Sequence, residues 1–496
     1  MSRRAAYDRL ERLFARLSHV EQALGMLHWD MATMMPPGGA ASRAEQLATL
    51  KALHHEMLTG REVRDLIEAA EGEDLDPWQR ANLREIRRDW LHASAVPARL
   101  VEDLSRACSA SEMIWRKARA EADFAAVAGP LAEVLRLTRE VAAIKSQALG
   151  IAPYDALLDQ YEPGGRAAAI DAIFDDLGAF LPGFLQKVLE RQTPAPAGPR
   201  GPFPVERQKA LGLRMMEVLG FEFEHGRLDV SQHPFCGGTP DDLRITTRYD
   251  EQDFMSSLMG VLHETGHALY ERGLPAAWRH QPVGRARGMS LHESQSLLME
   301  MQACRSREFL SFAAPVMAET FETGGGAGWD AEILYAANVR VDPGYIRIEA
   351  DEVTYPAHVI LRYRLEKALV AGDLQVADIP AAWNGQLREL LGLVPPDDRQ
   401  GCLQDIHWFD GAIGYFPTYT LGAMTAAQLF DAAARAVPEM GAAIAAGDFR
   451  PLLSWLRAEV HGRASSLTID ELLTHATGRP LDAAVFKDHL RRRYLS

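Results

Sequence analysis

Cysteine is scarce in this chain. Only Cys108, Cys236, Cys304 and Cys402 occur in 496 residues, and no two form a C-x-x-C pair. Such scatter excludes a disulfide framework and a thiolate metal site, and it suits a reduced, cytoplasmic compartment. Long apolar runs are also missing, so no segment is expected to span a bilayer. The opening residues, Met1-Ser2-Arg3-Arg4, lack the apolar core of a secretion signal. They lead straight into an amphipathic pattern at Tyr7, Leu10, Leu13, Phe14, Leu17, Val20 and Leu24. Positive charge is not in excess either: the net charge is −15, which argues against nucleic acid or an anionic membrane as partner. What remains is a soluble globular composition, 47% hydrophobic and 24% charged.

Helical periodicity dominates what is there. It breaks at Met35-Pro36-Pro37-Gly38-Gly39 and again in the proline-rich stretch from Thr193 to Pro204. Gly324-Gly325-Gly326 and Pro395-Pro396 mark further loops. Residues 224–250 differ: Glu224 to Val230 and Leu243 to Tyr249 are expected as short strands around a Gly-Gly turn, a hairpin walling a cleft. No fixed-period repeat occurs. The expectation is a mainly α-helical single unit over residues 1–496 with a small β element near residues 224–250.

The chemistry concentrates in His263-Glu264-Thr265-Gly266-His267. On a helix, positions i and i+4 share one face, so both imidazoles can hold one metal ion. Glu264 then reaches a water at that metal as general base. With 16 histidines in the chain, such a motif arises by chance in roughly 3–4% of sequences. Context therefore matters. Phe254, Leu258, Val261, Leu262 and Leu269 form a helical apolar stripe, Asp250 is the expected N-cap, and Gly273 and Pro275 are stop signals.

A catalytic zinc keeps three protein ligands. No third histidine follows at the short metzincin spacing, so Glu293, within Ser290-Leu291-His292-Glu293-Ser294-Gln295, is the candidate. Two alternatives stand beside it. His292 competes as ligand, and Ser290 with Glu293 could simply make an S-x-x-E capping box.

Further motifs run in order along the chain: His233-Pro234-Phe235, Asp242-Leu243-Arg244-Ile245-Thr246, Ile346-Arg347-Ile348-Glu349-Ala350-Asp351, and Gly401-Cys402-Leu403-Gln404-Asp405-Ile406-His407-Trp408. With the H-E-x-x-H and His292-Glu293-Ser294-Gln295 segments, and with Trp29-Asp30 and Thr33 to Pro36 near the start, they resemble the carboxypeptidase Taq family of zinc metallocarboxypeptidases. The resemblance implies a large helical body divided by a deep groove, as in gluzincin peptidases of the neurolysin type. It implies zinc (cobalt in vitro), a homodimer, and broad-specificity removal of single C-terminal residues. It also implies Glu293 as the third ligand, after His263 and His267.

Roles for other residues follow. Tyr415 or Tyr419, with His407, is expected to stabilise the oxyanion or hold substrate, unless these rings only pack. An arginine can grip the substrate's terminal carboxylate bidentately, and Arg347 is the first choice because the resemblance places it in the I-R-x-x-A-D element facing the groove. Arg244 is second, with an ion pair to Asp242 or Asp351 as its alternative. By resemblance, His233 helps close the groove end. The peptide substrate needs a free C-terminus. An oligopeptidase cutting internally is the alternative activity, and an inactive peptide-binding protein the alternative class. The latter predicts loss of the base or a ligand, whereas all four residues are present.

Overall fold

The computed structural model describes residues 4–194, 197–322 and 327–496. It is mainly helical with one three-stranded sheet, as expected. Among the described residues no helix is long and apolar enough to cross a membrane. The expected Gly324-Gly325-Gly326 loop lies outside the described residues, as do residues 195–196 of the proline-rich stretch, whose remainder is irregular.

The first helix, Ala5–Thr33, ends just before the expected break. Its stripe of Tyr7, Leu10, Phe14 and Leu17 packs against Leu58, Val63, Ile67 and Ile86 of the next helices. Val20 and Leu24 are only half-buried. Two large cores lie beyond it. One gathers the helices Phe124–Leu149, Ala167–Arg191 and Tyr355–Ala371 with the loop around Trp408. The other gathers Phe254–Gly273, Gly288–Leu297 and Arg307–Thr320. The helix Pro417–Ala436 serves both, turning Leu421, Met424 and Ala427 to the first and Ala426, Leu429 and Ala433 to the second. Each such leucine, taken from water, contributes about 1.5–3 kcal/mol. The joint is therefore apolar and rigid.

The sheet comprises β1 (Gly226–Val230), β2 (Cys236–Thr239) and β3 (Asp242–Thr247), in the order β1-β3-β2. The expected hairpin around a Gly-Gly turn is not what forms. β1 and β3 run parallel, with Gly226 opposite Leu243, and Gly237-Gly238 lies inside β2, which pairs antiparallel with β3. The glycines serve close approach: at Gly238, with φ of +93°, a Cβ would stand 2.0 Å from the Asp242 carbonyl oxygen. Leu228, Leu243 and Ile245 pack on Val261 and Ala268. The sheet thus backs the helix that carries the histidine pair.

That helix, Phe254–Gly273, is capped by Asp253, whose side chain accepts the Ser256 N–H (3.2 Å). Asp250, the expected N-cap, instead accepts from Gln252 N one turn earlier. The expected stripe of Phe254, Leu258, Val261, Leu262 and Leu269 is buried, and the helix stops at Gly273 before Pro275.

Candidate metal centre and active site

His263, His267 and Glu293 converge, their ligating atoms all within 4.8 Å of one another. Glu293 Oε2 lies 3.6 Å from His267 Nε2 and 3.9 Å from His263 Nε2. These gaps are too wide for hydrogen bonds. They approach the ~3.4 Å separating ligands spaced tetrahedrally around a zinc at ~2.1 Å.

Each imidazole is held from behind through its Nδ1. His263 Nδ1 donates to Glu300 Oε2 (3.0 Å), and Glu300 is held by Arg305 (2.6 Å). His267 Nδ1 lies 2.6 Å from His292 Nδ1, and His292 Nε2 lies 2.8 Å from Glu271 Oε1. If His292 donates to Glu271, it accepts from His267. Around a metal, His263 and His267 would both keep their proton on Nδ1 and turn Nε2 to the same point. His292, the competing ligand, is thus an outer partner of His267.

The Ser290–Glu293 capping box does not form. The helix Gly288–Leu297 has Arg287 at its N-cap, the Ser290 N–H goes to Glu162 Oε2 (3.1 Å), and Glu293 faces the histidines. The helix continues as a π-helical turn, Leu298–Ala303, which carries Glu300.

The charge balance suits a dication. Glu264, Glu293 and Glu300 crowd one region. Burial pushes the Glu264 carboxyl up to about 7, Glu293 and Glu300 add to the shift, and His263 and His292 oppose it. Burial also raises Glu293. A cation among these carboxylates would supply the missing positive charge. Glu264 sits one residue from His263 and is buried, with no hydrogen-bond partner among the described residues. It is free to take a proton.

Two bare glycines bring the elements this close. A Cβ on Gly266 would stand 2.5 Å from the Gln295 carbonyl oxygen, so the histidine helix touches the Glu293 helix backbone to backbone. Gly422, on the helix Pro417–Ala436, lies instead against the Glu293 side chain, with the Ser290 carbonyl oxygen next nearest.

That third helix brings Tyr419. His407 Nε2 lies 3.3 Å from the Tyr419 hydroxyl, and the rings of Tyr415 and Tyr419 meet edge-on at 5.2 Å. Burial pushes His407 down to about 4, and Arg347 and Arg362 reinforce this against Asp405, so the ring is neutral at neutral pH. Burial raises both tyrosines, and nearby Glu293 adds to it. Both hydroxyls therefore stay protonated donors.

Arg347 is buried over the Tyr419 ring, 4.8 Å from its centroid. Its Nε and Nη2 donate to Asp405 Oδ1 (3.2 and 2.8 Å), Nη1 reaches the Tyr355 hydroxyl (3.2 Å), and its backbone N–H goes to Gln404 Oε1 (2.8 Å). The G-x-x-Q-D-x-H-W element is thus a cradle: Gln404 and Asp405 hold Arg347, His407 meets Tyr419, and Trp408 Nε1 anchors on Glu366 (2.9 Å).

Arg244 and His233 belong to the sheet region. Arg244 lies on β3 between Leu243 and Ile245, hence on the face turned from the histidine helix. It pairs with Asp242 (2.8 and 3.0 Å) and stacks 4.3 Å over Trp29. Asp351 instead caps Val353 and Thr354. His233 is exposed, its carbonyl accepting from Ser231 Oγ (2.6 Å). Thr246 Oγ1 accepts the Phe235 N–H (3.0 Å), so the D-x-R-x-T element pins the H-P-F segment.

Sequence reasoning missed Glu300, Glu271, Tyr355 and Glu366. Glu271 follows His267 by four and Glu300 follows Glu293 by seven, each a helical spacing that carries a signal. Glu366 offers none, because its partners Tyr154, Trp408 and Gly414 are distant in sequence.

A helical fold with a His-His-Glu group and an adjacent glutamate defines a metallohydrolase. The comparisons narrow the class. Residues 9–494 match the family described as carboxypeptidase Taq (M32) metallopeptidase. The chain is 38% identical to thermostable carboxypeptidase 1 of Thermus thermophilus, covering 100% of this chain and 99% of that one. It is 32% identical to carboxypeptidase 1 of Bacillus subtilis, over 97% and 96%. Among solved structures it superposes on metallocarboxypeptidase 1 of Trypanosoma cruzi with a TM-score of 0.97, 42% identity and full coverage of both chains. The chain belongs to the carboxypeptidase Taq (M32) family and is a peptide-hydrolysing metallocarboxypeptidase.

Proposed function

We propose that the chain is one catalytic unit that removes single residues from the free C-terminus of peptides with broad specificity, with zinc as its metal. The observation that carries the site assignment is the convergence of His263, His267 and Glu293 beside Glu264 on one helix. The donor set of two imidazoles and a carboxylate, with an outer hydrogen bond behind each histidine, is that of a catalytic zinc, and cobalt suits the same set. A zinc held there supplies a Lewis acid and acidifies water.

The chain's own residues do the rest. Glu264 accepts the proton of the attacking water and returns it to the leaving amine. Tyr419 and Tyr415 donate to the developing oxyanion or to substrate, with neutral His407 orienting Tyr419. Arg347, already braced by Asp405, binds the terminal carboxylate with its remaining N–H groups. His233 closes the groove end and Arg244 steadies that wall. A homodimer in the cytoplasm completes the proposal, supported by the family resemblance and the unpaired cysteines.

A mass-spectrometric time course on one peptide, free or amidated at its C-terminus, tests this with zinc-loaded protein. A one-residue ladder from the free form alone is expected. Internal fragments from both forms would instead mean an oligopeptidase.

A further inference from the structure

One fully buried carboxylate, Glu366 on the helix Tyr355–Ala371, is bound to the chain neighbours of both His407 and Tyr415. Three neutral donors converge on it. Trp408 Nε1 donates to Oε1 (2.9 Å), while the Tyr154 hydroxyl (2.9 Å) and the Gly414 N–H (3.1 Å) donate to Oε2. Burial pushes this carboxyl up to about 7, and the three donors, with Arg362, oppose the shift and favour the ionised form.

Two of the donors stand at the two ends of one loop. Trp408 follows His407, and Gly414 precedes Tyr415. Each oxygen of Glu366 therefore grips one end of the segment 408–414. Gly414 has φ of +92°, and a Cβ there would stand 3.0 Å from Leu158 N, so the chain turns tightly against the short helix Pro153–Leu158 that also carries Tyr154. The residues before His407 are fixed separately. Gln404 Nε2 lies 3.0 Å from the carbonyl oxygens of Tyr345, Gln400 and Gly401, and Asp405 is held by Arg347 and Arg362.

The donors require a carboxylate. An indole N–H and a backbone N–H can only donate, and each oxygen of Glu366 faces one of them. An amide in its place would turn an N–H towards one or the other, whichever way it flipped. Only an acceptor on both sides suits both ends of the loop.

We propose that Glu366 is a positioning residue for the reaction, its two oxygens fixing the spacing of His407 and Tyr415, whose ring centroids lie 5.8 Å apart. It thereby aims the Tyr415 hydroxyl, and the Tyr419 hydroxyl through His407 (3.3 Å). The inference rests on the reading of these hydroxyls as oxyanion donors. It divides the G-x-x-Q-D-x-H-W element in two: Gln404 and Asp405 hold the arginine, while Trp408, on Glu366, holds the hydroxyl donors. Substrate binding and turnover should therefore come apart when Glu366 is changed.

The test is steady-state hydrolysis of one free-carboxylate peptide by the zinc-loaded full chain. Glu366→Gln is expected to lower kcat by about 10–100-fold, the scale of a small misplacement of reacting groups, with KM and zinc content unchanged. The comparison that decides it is made without the hydroxyls. In Tyr415→Phe/Tyr419→Phe, itself expected to be slow, adding Glu366→Gln should cost less than about twofold, since groups that act as a unit do not lose activity additively. Should Glu366→Gln fail to fold by circular dichroism, Trp408→Phe removes a donor from the other side and should show the same kcat loss and the same coupling. Parent-like kcat in Glu366→Gln, or an equal loss with and without the hydroxyls, would overturn the proposal. So would a loss that lies in zinc content or in KM alone. Parent-like kcat in Tyr415→Phe/Tyr419→Phe would instead defeat the donor reading, and this inference with it.

Discussion

Gly422 lies against Glu293 so closely that a Cβ at residue 422 would stand 2.8 Å from Glu293 Cβ and 2.9 Å from its Cγ. The proposed third metal ligand is therefore positioned by a side chain that is not there. Gly422→Ala should push Glu293 off the point shared with the two histidines. The expected result is a protein that folds but binds zinc at least tenfold more weakly, measured by competition with a chromogenic chelator. Zinc affinity equal to the parent would refute this positioning.

Behind His263, Glu300 fixes the ring that faces the proposed metal position. Glu300→Gln keeps the shape and removes the charge, and metal affinity should fall about 10–100-fold, the usual cost of losing such an outer partner. Glu271→Gln should act in the same direction through His292. Dialysis against graded chelator concentrations gives both numbers. Identical retention by parent and variants would mean that these carboxylates only serve packing.

Arg347 is braced before any substrate arrives, so its loss should show in recognition of the C-terminus. Arg347→Ala should lower kcat/KM for free-carboxylate peptides by about 10–100-fold, as expected for a charged hydrogen bond of about 1.5–3 kcal/mol. Zinc content should be unchanged. Equal residual turnover of free and amidated peptides by parent and variant alike would remove Arg347 from this role.

The C-terminal helix, Ala483–Leu495, is tied to the body by Glu352, which accepts from Arg493, His489, Tyr494 and Gln302 at 2.8–3.0 Å. Burial alone would raise this carboxyl, but Arg493 and His489 outweigh it and hold it well below the usual carboxylate range. A depressed folded pKa means stability that is fully present above the unfolded value of about 4.3 and lost as pH falls towards the folded one. Glu352→Gln should thus destabilise the protein by about 3–5 kcal/mol at pH 7, because it leaves Arg493 buried without its partner. Below about pH 4 the gap should narrow. Urea unfolding across this range checks it, and a pH-independent gap would contradict the linkage.

The helical fold and the histidine pair were legible because they are written in local spacing, whereas Glu293 came from the family resemblance, with His292 and a capping box as its alternatives on spacing alone. Helix periodicity exposed the Phe254–Gly273 stripe, and i, i+4 spacing paired His263 with His267. The sheet was misread for a physical reason. Gly237-Gly238 looks like a turn, yet here glycine allows β2 to approach β3, which no local pattern distinguishes. Likewise Asp250 and Asp253 are equally good caps by residue type, and only the chain's path chooses. His292 and Glu300 became intelligible once the folded chain showed what stands behind each ring. Glu366 was invisible, since three remote segments meet on it.

The most direct test of the whole account is the turnover of Glu264→Gln measured together with its zinc content. The account predicts full zinc occupancy, because Glu264 is not a ligand, with kcat reduced by about 10²–10⁴-fold through loss of the proton acceptor. A fully loaded variant that turned over within a few-fold of the parent would contradict it.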